Sequence, residues 1–462
     1  MPYYGDGSNL TGVEDDGARD DIALLGFKVA ANGSLARYNL VDQSIDAFED
    51  ASGIDASTST NEFRNAAGNY YSGSDVATGV ASNHTTTGSD TWAAPANLTG
   101  TIKVLVVGGG GGSATWGNGN GGGGAGGLVY VSNYAAVAST TYNLTIGAGA
   151  AAVTGVAVAA ATNGADSVFD SSGTTQILTA SGGSGGASAG ASAVTGGSGG
   201  GGANTSTGYG VRGTTDQVTT FGSYSGVGFG NHGGVNTTWN MVGGGGGGAG
   251  AIGSNPASTT IGGAGGVGKD YSSIFGTGVG ASGWFAGGGG GGGNTAGGGA
   301  GGTGGGGAGG TYPAAGTAGT ANTGGGVGGS SADADPSAAG GSGAIHILYD
   351  TLSYADMTLV SNAQTAQSAP TTGDLVMTYS DGAGTATVNT DIKAYISRDG
   401  SAYTSAVTLV SQGTTGGHTI LTANGVDLSG ITSGTSMRFK ITTHNQSAAK
   451  DTRIHAVSLG WA

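Results

Sequence analysis

Cysteine is absent from the 462 residues, so there is no disulfide framework, thiolate metal site or cysteine nucleophile. Proline occurs only six times. With segments such as Ser188-Ala189-Gly190-Ala191-Ser192 breaking any period of three, that scarcity excludes a collagen helix. Charge is sparse at 9% of residues, and 13 Lys and Arg against 28 Asp and Glu leave a formal net charge of −15. Sequence-independent affinity for nucleic acid comes from cations neutralising phosphates, and between Val104 and Leu348 only Arg212 and Lys269 are basic. Neither nucleic acid nor an acidic membrane surface is therefore an expected partner. No run approaches the ~20 apolar residues of a membrane span, so no membrane insertion is expected. The start Met1-Pro2-Tyr3-Tyr4-Gly5-Asp6 has neither the basic nor the apolar region of a signal peptide.

Glycine is what the chain has in excess, 106 residues against a usual share of ~7%. The excess falls in blocks, among them Gly108 to Gly112, Gly121 to Gly127, Gly243 to Gly250, Gly287 to Gly293 and Gly324 to Gly329. Lys103 to Gly112 looks like the opening of a dinucleotide fold, but another glycine run follows where a helix and an acidic residue are needed. Gly263 to Lys269 has phosphate-loop spacing, but Asp270 stands where a magnesium-holding Ser or Thr must be. A Gly/Ser linker would be random coil. Apolar, strand-like segments instead punctuate the blocks: Val104 to Val107, Leu128 to Val131, Tyr142 to Ile146, Val168-Phe169 and Ile177-Leu178. The physical alternative is a bundle of extended polyproline-II-like glycine strands. Each has three residues per turn and no internal hydrogen bonds, so its N–H and C=O groups point sideways to neighbours. Seven residues at ~3.1 Å each span about 22 Å.

The flanks differ in composition. Ile22, Leu25 and Val29, then Leu40, Val41, Ile45 and Phe48, recur at helical spacing and predict a short helical hairpin that could dock or oligomerise the chain. Ser72 to Ser89 is polar and reads as a loop-rich connection. After Tyr349, alternating segments such as Leu375 to Tyr379, Ile392 to Ser397 and Met437 to Ile441 predict an antiparallel β-sandwich. The expected fold is thus mainly β: an N-terminal arm with short helices (1–60), a loop-rich connection (61–100), a central glycine-rich β/polyglycine-II sandwich (101–349) and a C-terminal antiparallel β-sandwich (350–462).

Between the blocks lie inserts with aromatics beside amides, a pairing that suits saccharides or a protein loop, since ring faces bury C–H surface and amides bond hydroxyls. The candidate receptor-binding residues are Trp116, Tyr209, Arg212, Phe221, Tyr224, Phe229, His232, Trp239, Asn240, Tyr271, Trp284 and Tyr312. The same rings could equally be the scarce apolar core along the edges of the glycine slab. The six histidines show no metal-ligand spacing, and the middle is too poor in acids for paired catalytic carboxylates. No metal, cofactor or enzymatic activity is expected.

The succession of an apolar strand, Gly108 to Gly112, Gly121 to Gly127, Tyr142-Asn143-Leu144-Thr145-Ile146-Gly147, Gly164-Ala165-Asp166-Ser167-Val168-Phe169 and a closing Gly340-Gly341-Ser342-Gly343-Ala344-Ile345-His346-Ile347-Leu348-Tyr349 resembles the glycine-rich domain of phage tail fibres and tail adhesins. Gly5 to Val13 is similar to a short motif of marine phage fibre-like proteins. The resemblance implies a homotrimeric virion protein exposed to the extracellular medium. It would be mounted on other tail proteins by its N-terminal segment and touch a host glycan or outer-membrane protein through loops on a polyglycine-II scaffold. A structural fibre or decoration protein without a receptor is the alternative, and an ice- or crystal-surface binder a weaker third.

Overall fold

The computed structural model describes residues 37–40, 42–115, 117, 119–154, 161–188, 191–205, 208–209, 211–236, 241–331 and 337–462, with backbone alone at 37–40, 204–205 and 208–209. The described chain is almost entirely β and extended structure, and its one described α-helix is Ser272–Phe275. It divides into two compact units, 77–351 and 1–76 with 352–462.

In the first unit two antiparallel sheets enclose a side-chain core. One runs in the order Gly228–Phe229, Leu128–Tyr134, Leu98–Val107, Ala344–Tyr354, Ser74–His84, and the other Leu178–Ala180, Ser167–Phe169, Thr141–Ile146, Gly88–Ala93. Alternation sorts the strand residues to opposite faces. Ile102, Val104, Val106, Val129, Val131, Ile345 and Ile347 meet Trp92, Tyr142, Leu144, Phe169 and Leu178 between the sheets. From the same strands Leu105, Val107 and Leu128 point to the other face, where Tyr271 and Phe285 cover them.

The central strands run straight into the glycine blocks, and there the side-chain core gives way to one made of backbone. Along Gly287–Gly293 the N–H groups of Gly287, Gly290 and Gly293 donate to Gly304, Gly307 and Gly310; those of Gly288 and Gly291 to Gly266 and Gly263; those of Gly289 and Gly292 to Gly123 and Asn120. A donor direction that recurs every third residue is the signature of a threefold extended helix. The Cα hydrogens point at three further neighbours. A Cβ on Gly288, Gly289 or Gly290 would lie 2.2, 1.9 or 2.0 Å from the carbonyl oxygen of Gly246, Val327 or Gly299. The run therefore has six neighbours, as in hexagonal packing. None of these glycines has a positive φ, so the requirement for glycine is close approach rather than backbone freedom. The Gly121–Gly127 stretch repeats the scheme, donating in turn to Ala187, Gly244, Val327, Ser184, Gly247, Gly324 and Ser181. Its one methyl, on Ala125, lies where the lattice meets Leu105, Val107 and Phe285.

The second unit is a two-sheet sandwich. Its larger sheet has the order Arg37–Leu40, Gln43–Asp46, Asp451–Trp461, Thr372–Ala383, His418–Asp427, Val410–Thr415, with Tyr70–Ser72 also on Asp451–Trp461; its smaller sheet centres on Ser436–Thr443. Phe48, Ile54, Tyr71, Leu375, Met377, Leu421, Phe439 and Ile441 share the core.

Two expectations need correction. The stretch from Leu40 to Phe48 is a β-hairpin rather than a helix: Arg37–Leu40 and Gln43–Asp46 pair around a turn with Asp42 at φ 65°. Its partner in Asp451–Trp461 is distant in sequence, and that pairing outweighs a local helical period. The stretch 72–89 holds strands rather than loop, because Ser74–His84 is an exposed sheet edge and needs no apolar alternation. The helix expected around Ile22 to Val29 lies outside the described residues.

Candidate binding surface at the free end of the lattice

The runs go up and down, so their connections gather at two ends. At one end the runs join the sheets. At the other, free end, Asn294 links three connections: its N–H donates to the Thr260 carbonyl, its side chain lies 4.0 Å from the Met241 sulfur, and the preceding Gly293 carbonyl accepts from Tyr312. Met241, Ile261 and Tyr312 expose 47%, 37% and 53% of their surface there. This juxtaposes an aromatic ring, two flexible or branched apolar chains and an amide at the end of the hydrogen-bonded lattice. Tyr312 precedes Pro313 through a cis peptide.

The sequence-predicted residues divide between the ends. Trp116, Trp239 and Asn240 lie outside the described residues, as does the side chain of Tyr209, whose backbone pairs with Asn204. Tyr312 is the exposed member at the free end. Arg212 is half-buried and reaches the Gly233 carbonyl at 3.5 Å, and the His232 Nδ1 accepts the Thr215 N–H at 3.3 Å, so both brace lattice strands.

At the sheet end the rings pack. Phe221 and Tyr271 are buried, a correction to their expected exposure, because their inserts fold back over the two faces of the five-stranded sheet. Burial, with the Tyr130 phenol 4.8 Å away ring to ring, pushes the Tyr271 phenol far above its ordinary value. Tyr224 stacks on Tyr134 at 6.0 Å and accepts the Ala135 N–H. Phe229 pairs with Leu128 and carries the Lys269 ammonium 3.8 Å above its ring. Trp284 is half-buried in a two-residue strand opposite Asp270.

Composition missed Ile261 and Asn294. The usable signal was position: both stand in short connections between glycine runs, on the same end as Tyr312.

The buried acid Asp170 is structural. It accepts from Tyr134 Oη at 2.9 Å and from the N–H groups of Thr174, Thr175 and Gln176. Burial opposes its charge, but those donors win and hold its pKa below the usual carboxylate value. Among the described residues no three His, Asp or Glu gather as a metal site, and no helix is long and apolar enough to cross a membrane.

A hexagonal glycine lattice grown from a two-sheet β core defines a glycine-rich scaffold domain that displays its connections at one end. A family model described as a glycine-rich domain matches residues 84–350, more than half of the chain, and the protein belongs to that glycine-rich domain family. A search of curated proteins finds no match.

Proposed function

We propose that this is a non-catalytic adhesin of the phage tail-fibre kind, which attaches a virion to a host-surface glycan or outer-membrane protein through the free end of its glycine lattice. One observation carries the reading. The rings at the sheet end are used for packing, whereas Tyr312, Met241 and Ile261 stand exposed around Asn294. A rigid support lowers the entropy lost when such a surface binds. Mounting by the N-terminal segment on other tail proteins and a homotrimeric state belong to the same reading.

The test is competition. Purified protein should block adsorption of the particle to its host, and the Tyr312→Ala, Met241→Ser double variant should compete at least about tenfold less well, equivalent to ~1.4 kcal/mol. If wild type and variant fail alike to compete while particles carrying the variant still assemble and infect, the chain is a structural fibre or decoration protein and the adhesin reading falls.

A further inference from the structure

The sandwich unit carries a second surface suited to a ligand, independent of the lattice. It is the outer face of the smaller sheet. Along Ser436–Thr443 the alternation turns Met437, Phe439 and Ile441 into the core and leaves Arg438, Lys440 and Thr442 outside. On the neighbouring strand Ile392–Ser397, Tyr395 stands opposite Lys440 and Lys393 opposite Thr442, so both share that face. Tyr403 reaches it from the bridge it forms with Ser397. The Lys440 ammonium lies 4.3 Å from the ring centroids of both Tyr395 and Tyr403.

Ring faces attract a cation but do not accept its N–H groups as an oxygen does, and Lys440 is half-buried over them. No hydrogen bond or ion pair among the described residues engages its Nζ, nor that of Lys393. Burial lowers the Lys440 pKa, as it must for an ammonium taken from water without a counter-charge. Carboxylates are not scarce, for the chain has 28 acids against 13 Lys and Arg. Those around this face are committed elsewhere. Asp55 is held by Arg438 at 2.5 Å, Asp391 by Lys450 at 2.6 Å, and Asp399 by the N–H groups of Ser401 and Ala402 in its own turn.

The donors left over define the ligand. Lys393 and Lys440 occupy diagonal positions on paired strands, about 7–8 Å apart, close enough for two long side chains to converge on one anionic group. Nucleic acid needs a row of cations, and any polyanion meets the net charge of −15. A phosphate dianion meets Asp55 and Asp399 beside the site, a repulsion that a single negative charge halves. A carboxylate accepts the Lys440 N–H groups in charge-assisted bonds. Around it the Tyr395 and Tyr403 phenols and the Thr358 and Thr442 hydroxyls, paired across their strands, add polar contacts and ring surface for C–H groups. One negative charge, several hydroxyls and C–H surface together are the chemistry of a uronic-acid-type sugar. An acidic peptide side chain would leave the hydroxyls unused.

We infer that the Lys440–Tyr395–Tyr403 face of the sandwich unit is a binding site for a carboxylate-bearing pyranose, as one residue of an acidic glycan, with Lys440 donating to the carboxylate.

The test titrates the full chain with glucuronate and galacturonate, each to about 10 mM, enough to occupy a millimolar site. Glucose, inorganic phosphate and the peptide Gly-Asp-Gly serve as comparisons. The ring C–H resonances of Tyr395 and Tyr403, assigned through their Phe variants, are followed by NMR. At least one uronate should shift both rings saturably, and more weakly as salt is raised. Lys440→Met, which keeps the apolar stem and removes the charge, should bind it at least about tenfold more weakly with an unchanged or raised urea midpoint. The inference is overturned if neither uronate moves these resonances, or if Lys440→Met binds as tightly as wild type. It is also overturned if glucose, phosphate or the peptide binds as well as the uronates. A lowered urea midpoint in Lys440→Met with no uronate binding would make the ammonium a packing element. The readout never involves Tyr312 or particle adsorption, so it stands or falls separately from the adhesin proposal.

Discussion

The glycine lattice and the C-terminal sandwich are both packed interiors, yet one is filled by side chains and the other by backbone. In the sandwich, Leu375, Met377, Leu421 and Phe439 occupy the space between sheets, and Lys450 pairs with Asp391 at 2.6 Å. In the lattice nothing fills the space between runs, because there is none: neighbouring carbonyl oxygens already stand where a Cβ would go. Ordering a glycine costs roughly 0.5–1 kcal/mol more than ordering alanine, while a hydrogen bond contributes about 0.5–1.5 kcal/mol net. A single run is therefore not self-supporting. A run with neighbours on every side is, and this makes the lattice cooperative and intolerant of any added atom.

The sharpest way to break the comparison is a single methyl. Gly290→Ala places its Cβ 2.0 Å from the Gly299 oxygen, and that oxygen belongs to a backbone fixed by its own neighbours. Overpacking a dense core costs about 1–3 kcal/mol and more where nothing can yield, so a loss of ~3 kcal/mol or more is expected, read from the urea midpoint. Gly278 has open space around its Cβ position and no positive φ. Gly278→Ala should be neutral or stabilise by up to ~1 kcal/mol through the unfolded chain. Equal effects at the two positions would mean that the hexagonal contacts are not what selects glycine.

A second prediction uses pH. His346 lies on the sheet face covered by the 269–285 insert, with Phe275 and Phe285 beside its ring, its Nδ1 donating to Asn83 Oδ1 at 2.8 Å and its Nε2 buried without a partner. Burial, helped by nearby His84, lowers its pKa to about 4. The unfolded chain takes up this proton near pH 6.5 and the folded one only near 4. The stability tied to neutral His346 is therefore present above 6.5 and falls as pH drops from 6.5 to 4, by up to about 3 kcal/mol. Urea midpoints measured across that window should flatten in His346→Gln. In the sandwich, burial opposes the charge of Asp391, but Lys450, Asn445 and the Thr387 N–H hold its pKa down at about 2, so its own contribution fades only below pH 4.

How much of this was legible depended on which physics set each feature. The strands Leu98–Val107, Leu128–Tyr134 and Ala344–Tyr354 were visible because a buried two-sided strand needs a run of branched apolar residues. The glycine blocks pointed to an extended lattice because only close approach explains seven glycines in a row. Ser74–His84 was hidden, since an exposed edge carries no pattern, and the hairpin at Arg37–Asp46 was hidden because its partner lies over 400 residues away. For the candidate site, residue type was a poor guide and position a better one. Tyr271 and Tyr312 are the same amino acid in similar glycine-rich text, and one is core while the other is exposed. The difference is which end of a run each connection joins.

The smallest expected effect tests that last distinction. Tyr312 contributes its backbone N–H to the Gly293 carbonyl, and more than half of its surface is exposed, at 53%. Tyr312→Ala keeps the backbone bond, so unfolding stability should change by no more than ~0.5 kcal/mol, the range of ordinary surface substitutions. Tyr271→Ala, at the sheet end, removes a ring that covers the five-stranded sheet and should cost roughly 3–5 kcal/mol. If Tyr312→Ala proved as destabilising as Tyr271→Ala, the free end would be part of the scaffold's own packing. With stability unchanged, any loss of competition for the host surface reads directly on contact.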